Sequence, residues 1–127
     1  MRRGLRLESK TEVGRWAETL VEGFLRARAY NVIARNMRLG HLECDLIVSK
    51  GQETRLCEVR SAQAKHPNFQ PELNRILGPA KRSRVLRSAQ CLNHNYPGQL
   101  GAVDIAFVFT DRDRLWTRID YFWNVDL

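Results

Sequence analysis

Cysteine is scarce here and its spacing excludes two classes of stabilisation. Cys44, Cys57 and Cys91 are odd in number and form no CxxC pair, which argues against a thiolate zinc site and against a disulfide framework. All three are expected to be reduced thiols in or near the core of a cytoplasmic protein. His41, His66 and His94 are too scattered for a histidine metal centre. No apolar run approaches the length of a membrane span. The start, Met1–Arg6, has the basic character of a signal-peptide n-region, yet no apolar h-region follows it. Internal repeats, low-complexity tracts and linkers are also missing, so residues 1–127 are expected to form one domain.

Acidic residues are in deficit. Lys and Arg total 21 against 14 Asp and Glu, a net charge of +7 with a pI near 9.9. That balance favours a polyanionic partner such as nucleic acid or an anionic membrane surface, and charge alone does not choose between them. With 127 residues and 43% hydrophobic content there is enough apolar material for one core.

Val13, Trp16, Ala17, Leu20, Val21, Phe24 and Leu25 fall on one helical stripe, and Ser9-Lys10-Thr11-Glu12 before it has the form of a capping box. The pattern predicts a helix from about Lys10 to Arg28. Three β-prone runs follow, Tyr30–Arg38, Leu42–Lys50 and Arg55–Ala62, separated by Leu39-Gly40-His41 and by a turn at Gly51, as in an antiparallel meander. Residues 61–79 hold Pro67, Pro71 and Pro79 and read as a surface loop. A second helix is expected from Pro79, with Val85, Leu86, Ala89 and Leu92 inward, ending at Asn93–Gly98. Ala102–Phe109 reads as a strand covered on both faces, and the helix leading into it implies a crossover to a parallel neighbour. The alternation from Leu115 to Val125 reads as a half-exposed edge strand. Trp16, Trp116 and Trp123 are expected in the core, and Asp104 reads as a hydrogen-bonded structural residue.

The acidic positions in the second and third strands carry the functional signal. Strand alternation puts Glu43 and Asp45 on one face, opposite Leu42, Cys44, Leu46 and Val48, and puts Glu58 with Arg60. A two-residue turn at Gly51-Gln52 would pair Lys50 with Glu53, and the same register sets Asp45 opposite Glu58 and Glu43 opposite Arg60. Two carboxylates roughly 5 Å apart across a ladder repel unless a proton or cation lies between them. A hard divalent ion, Mg²⁺ or Mn²⁺, would resolve the conflict, because it accepts one or two carboxylates and keeps positions for water and phosphate. The plain alternative is a solvated acidic face flanked by Arg60 and Lys50.

Gly14-x-x-Ala17-Glu18, Arg35-Asn36-x-Arg38, Glu43-Cys44-Asp45-Leu46-Ile47 and Glu58-Val59-Arg60 together resemble the YraN-like family. These are small bacterial predicted endonucleases, distantly related to archaeal Holliday-junction resolvases within the PD-(D/E)XK superfamily. The similarity continues through Lys81-x-x-Arg84 and Val103-Asp104-Ile105. It implies an α/β fold with a restriction-endonuclease-like α-β-β-β-α-β core, a mixed sheet flanked by helices. It further implies a metal-dependent endonuclease acting on structured or branched DNA, with Asp45 and Glu58 holding Mg²⁺ or Mn²⁺ and Glu18 as an outer member. Resolvase-like proteins act as dimers on two-fold symmetric junctions, so a homodimer is implied by analogy.

Two departures stand out. The family's E-x-K pattern has lysine where this chain has Arg60, and an arginine keeps its proton at ordinary pH, so it cannot act as a base but can hold a phosphate. The spacing before Asp45 is altered by His41-Leu42. The alternative function is therefore a catalytically impaired nucleic-acid-binding module on the same fold. Arg75, Lys81, Arg82, Arg84 and Arg87 form the densest basic cluster, and with Arg35 and Arg38 they are the candidate phosphate contacts. Glu18 also reads as a helix-surface charge, Glu43 as a partner of Arg60, and Lys65 and His66 as a basic loop pair.

Overall fold

The computed structural model describes residues 2–40, 42–70, 78–95 and 100–125. The order is α1 (Arg2–Arg26), β1 (Asn31–Leu39), β2 (Leu42–Lys50), β3 (Glu53–Gln63), α2 (Pro79–Asn95), β4 (Leu100–Thr110) and β5 (Thr117–Phe122). The five strands form one mixed sheet in the order β1-β2-β3-β4-β5. Only β3 and β4 run parallel, joined by the crossover through α2, while the other neighbours are antiparallel. This is the α-β-β-β-α-β core the sequence implied, with β5 added at the far edge.

Each helix covers part of the sheet through one stripe. Ala17, Val21 and Leu25 of α1 are buried with Leu46, Val48, Cys57, Val59, Ala106 and Val108. Ala89 and Leu92 of α2 are buried with Cys44, Ile47 and Leu56. Several boundaries differ from the sequence reading for identifiable reasons. α1 runs through the capping-box residues instead of starting there, because Arg, Leu, Glu and Lys dominate residues 2–10 and all sustain a helix. It stops at Arg26 and not Arg28, where Ala29 takes φ 70° and the Tyr30 N–H donates to the Leu25 carbonyl at 3.1 Å, closing the end.

β3 extends through Gln63, so the loop begins later than residue 61. On α2, Leu86 is 39% exposed while Ser88 is fully buried, a correction that follows from 3.6-residue geometry. The inward stripe is Val85, Ser88, Ala89 and Leu92, and Leu86 is turned about 100° away from Val85. Leu115 and Trp123 lie outside β5 and are 82% and 40% exposed, so Trp123 is not a core residue. It instead lies against Tyr121, with Arg55 over its ring. His41, Pro71, Arg75 and the Tyr96-Pro97-Gly98 segment expected to end the second helix lie outside the described residues. Among the described residues no helix is long and apolar enough to cross a membrane.

Candidate carboxylate site

The hairpin between β2 and β3 fixes the register on which the site depends. Gly51 takes φ 61° at the first turn position, and Lys50 pairs with Glu53. The ladder then runs regularly to Leu46↔Cys57 and ends there. Asp45 and Glu58 stand one step beyond that last pair, where backbone pairing gives way to a side chain. The Val59 N–H donates to Asp45 Oδ2 at 2.9 Å, while β3 goes on pairing with β4 as far as Gln63↔Thr110. The two strands therefore part at the acids.

The alternation expected for β2 fails at the same place. Cys44 joins the cluster under α2, although Leu46 and Val48 belong to the one under α1. Its neighbour in β1 explains the change. Asn36 takes φ 50°, and no ladder pair forms between Met37↔Cys44 and Arg35↔Leu46. A left-handed residue breaks the pleat there.

Glu43, Asp45, Glu58, Arg60 and Arg84 line a cavity of about 270 Å³. A larger cavity of about 690 Å³ lies along residues 63–69 but has no carboxylate in its lining, so the chemistry belongs to the smaller one. Glu58 is 2% exposed. Burial, then a hydrogen bond to Asp45 and the charge of that carboxylate, push the Glu58 carboxyl up to about 9, against the opposing pull of Arg60 and Arg84. At neutral pH the pair therefore shares a proton, with the Glu58 O–H directed to Asp45. Arg60 Nη1 lies 3.5 Å from Asp45 Oδ2 and 3.9 Å from Glu58 Oε2. It also donates to the Val59 carbonyl at 2.9 Å, while Nη2 is buried with no hydrogen-bond partner among the described residues. Cys44 is no thiolate beside these acids, since burial raises it to about 11.

The remaining candidates are distributed unequally. Glu43 lines the cavity, but its ion-pair partner is Arg38 at 3.9 Å and not Arg60, because Arg38 is its ladder neighbour in β1. Glu18 accepts from Asn36 at 3.2 Å and from Arg35 at 3.5 Å. Burial raises its pKa, and it lies within electrostatic range of Asp45 without lining the cavity. Arg35 also reaches Glu22 at 3.6 Å, so it is committed to α1. On α2, Arg84 reaches the cavity, Lys81 is exposed one turn earlier on the same face, and Arg82 is half-buried. Among the described residues no group of three or more His, Cys, Asp and Glu side chains is gathered as for a metal ion.

One polar cluster escaped sequence reasoning. Arg55 donates to Asp104 at 2.7 and 3.1 Å and to Glu53 at 2.7 Å, and Tyr121 donates to Asp104 at 2.7 Å. The Asn124 N–H donates to the same carboxylate at 2.8 Å. Asp104 is fully buried and fully used, as its structural reading requires.

A five-stranded mixed sheet flanked by two helices, with an acid pair and two arginines where β2 and β3 part, defines a mixed α/β domain with an α-β-β-β-α-β core. The profile of the uncharacterised protein family UPF0102 matches residues 17–120. The chain belongs to that family, the YraN-like group. It is similar to a UPF0102 protein of Roseiflexus castenholzii, 29% identical over 76% of this chain and 81% of that one. One from Oleidesulfovibrio alaskensis is 37% identical over 60% of this chain and 36% of its own length. Another, from Bordetella avium, is 37% identical over 72% and 61% respectively.

Proposed function

We propose that this protein is a divalent-metal-dependent endonuclease that hydrolyses phosphodiester bonds in structured or branched DNA. The observation that carries the reading is the meeting of Asp45 and Glu58 at one cavity with Arg60 and Arg84 beside them. The donor set fits Mg²⁺ or Mn²⁺: both acids offer hard oxygens, and such ions need only one or two carboxylates when water and phosphate complete the shell. Asp45 and Glu58 would hold the ion, with Glu43 at the cavity wall. When bound, it supplies a water of lowered pKa and neutralises phosphate charge.

The chain's own residues do the rest. Asp45 is held by the Val59 N–H, so its carboxylate is preorganised on the backbone and not on a mobile rotamer. Glu58 must give up its proton before it can serve as a ligand. Arg60 and Arg84 at the cavity would hold a phosphate oxygen, and Lys81 would extend the basic face along α2. The test mixes purified protein with Mg²⁺ or Mn²⁺ and a four-way DNA junction. Native protein should nick it and Asp45→Ala should not; equal cutting by both would overturn the assignment.

One observation favours a second reading, a nucleic-acid-binding module whose catalytic site is retired. The Arg60 guanidinium already stands within 3.5 and 3.9 Å of the two carboxylates and supplies part of the positive charge a metal would bring. Salt-sensitive DNA binding without hydrolysis, unchanged by Arg60→Lys, would select that reading.

A further inference from the structure

We propose that Arg60 is an internal counter-ion that competes with a divalent cation for Asp45 and Glu58, and that a phosphodiester anion relieves this competition by drawing the guanidinium away. The inference rests on the metal-binding reading above and adds an order to it: phosphate binding at Arg60 and Arg84 promotes loading of the metal.

The geometry is specific. Nη1 lies between the two acids at 3.5 and 3.9 Å, longer than a close bidentate contact near 2.8 Å, so the arginine is poised over the pair without being locked to it. Its one short bond from the same nitrogen, 2.9 Å, goes to the carbonyl of Val59 next along its own strand. Nη2 is buried without a partner among the described residues, and a buried guanidinium nitrogen left unpaired costs free energy. Once the guanidinium swings out of that position, an anion in the cavity would satisfy that nitrogen. The cavity, about 270 Å³, is large enough for a phosphate group, and Arg84 lines it too. A cation placed between the acids and a guanidinium 3.5 Å from one of them repel each other, so the two occupants exclude one another unless an anion lies between them. Metal and phosphodiester must then each raise the affinity of the other by the same factor.

Mn²⁺ binding, followed by electron paramagnetic resonance, tests this without any cleavage readout. Dimethyl phosphate serves as the phosphodiester, with chloride at matched ionic strength as control. In native protein, dimethyl phosphate should tighten Mn²⁺ binding several-fold. Arg60→Gln should tighten it by about tenfold in the absence of phosphate, and should abolish the phosphate effect. Unchanged Mn²⁺ affinity on adding dimethyl phosphate to native protein overturns the inference even if the variant fails to fold. Equal Mn²⁺ affinity in native and folded variant does the same while leaving the metal site standing. If neither protein binds Mn²⁺ under any of these conditions, the metal-binding reading falls and the inference falls with it.

Discussion

Glu58 concentrates the energetics of the site in one carboxyl group. Its buried position raises the pKa from the ordinary 4.5 to about 9. A raised folded value means that the native state holds a proton the unfolded chain releases. Its contribution to stability is fully present below about pH 4.5 and is lost as pH rises through about 9. Metal-free protein should therefore lose on the order of a few kcal/mol between about pH 5 and pH 9, since each tenfold change in proton affinity is worth about 1.4 kcal/mol. Thermal unfolding at both pH values measures the loss, and Glu58→Gln should flatten it. The same slope in the variant would show that another group is responsible. Arg55 and Asp104 present the opposite case, a buried pair fully satisfied by direct hydrogen bonds, which carries no such unresolved charge. They are 49 residues apart, and no local pattern in the sequence links them.

Elements were legible where local chemistry determines them. Gly51 sets a two-residue turn, and the Lys50–Glu53 register followed from it correctly, bringing Asp45 and Glu58 to neighbouring positions. The parting of β2 from β3 was not legible, because it depends on a carboxylate taking the place of a backbone acceptor at Val59 and on Asn36 adopting φ 50° in a third strand. Neither has a signature in the periodicity of β2. Glu43 shows the same limit, since its pairing with Arg38 is set by the β1 ladder and not by the hairpin. On α2, alternation of apolar residues placed both Leu86 and Leu92 inward, yet one is 39% exposed and the other 2%. Leu92→Ala should cost about 2–5 kcal/mol in urea unfolding, whereas Leu86→Ala should stay within about 0.5 kcal/mol. Comparable losses at both positions would contradict the stripe Val85, Ser88, Ala89 and Leu92.

Across the whole molecule, a +7 charge and the cavity where Asp45 and Glu58 meet beside Arg60 and Arg84 are complementary features. That net positive charge would attract a polyanion at long range, and the acids would bar it from the cavity unless their charge is neutralised. Arg60 meets that requirement in part, and a divalent ion would meet it more fully. Family membership across residues 17–120 covers both acids, Arg60 and Arg84. Diffraction from crystals soaked in Mn²⁺, with anomalous scattering used to locate the ion, decides whether Asp45 and Glu58 hold a divalent cation. One peak should appear beside the carboxylates of Asp45 and Glu58, with the Arg60 guanidinium displaced from its 3.5 Å contact. Crystals saturated with Mn²⁺ that show no peak there, and Arg60 still over both acids, would contradict it.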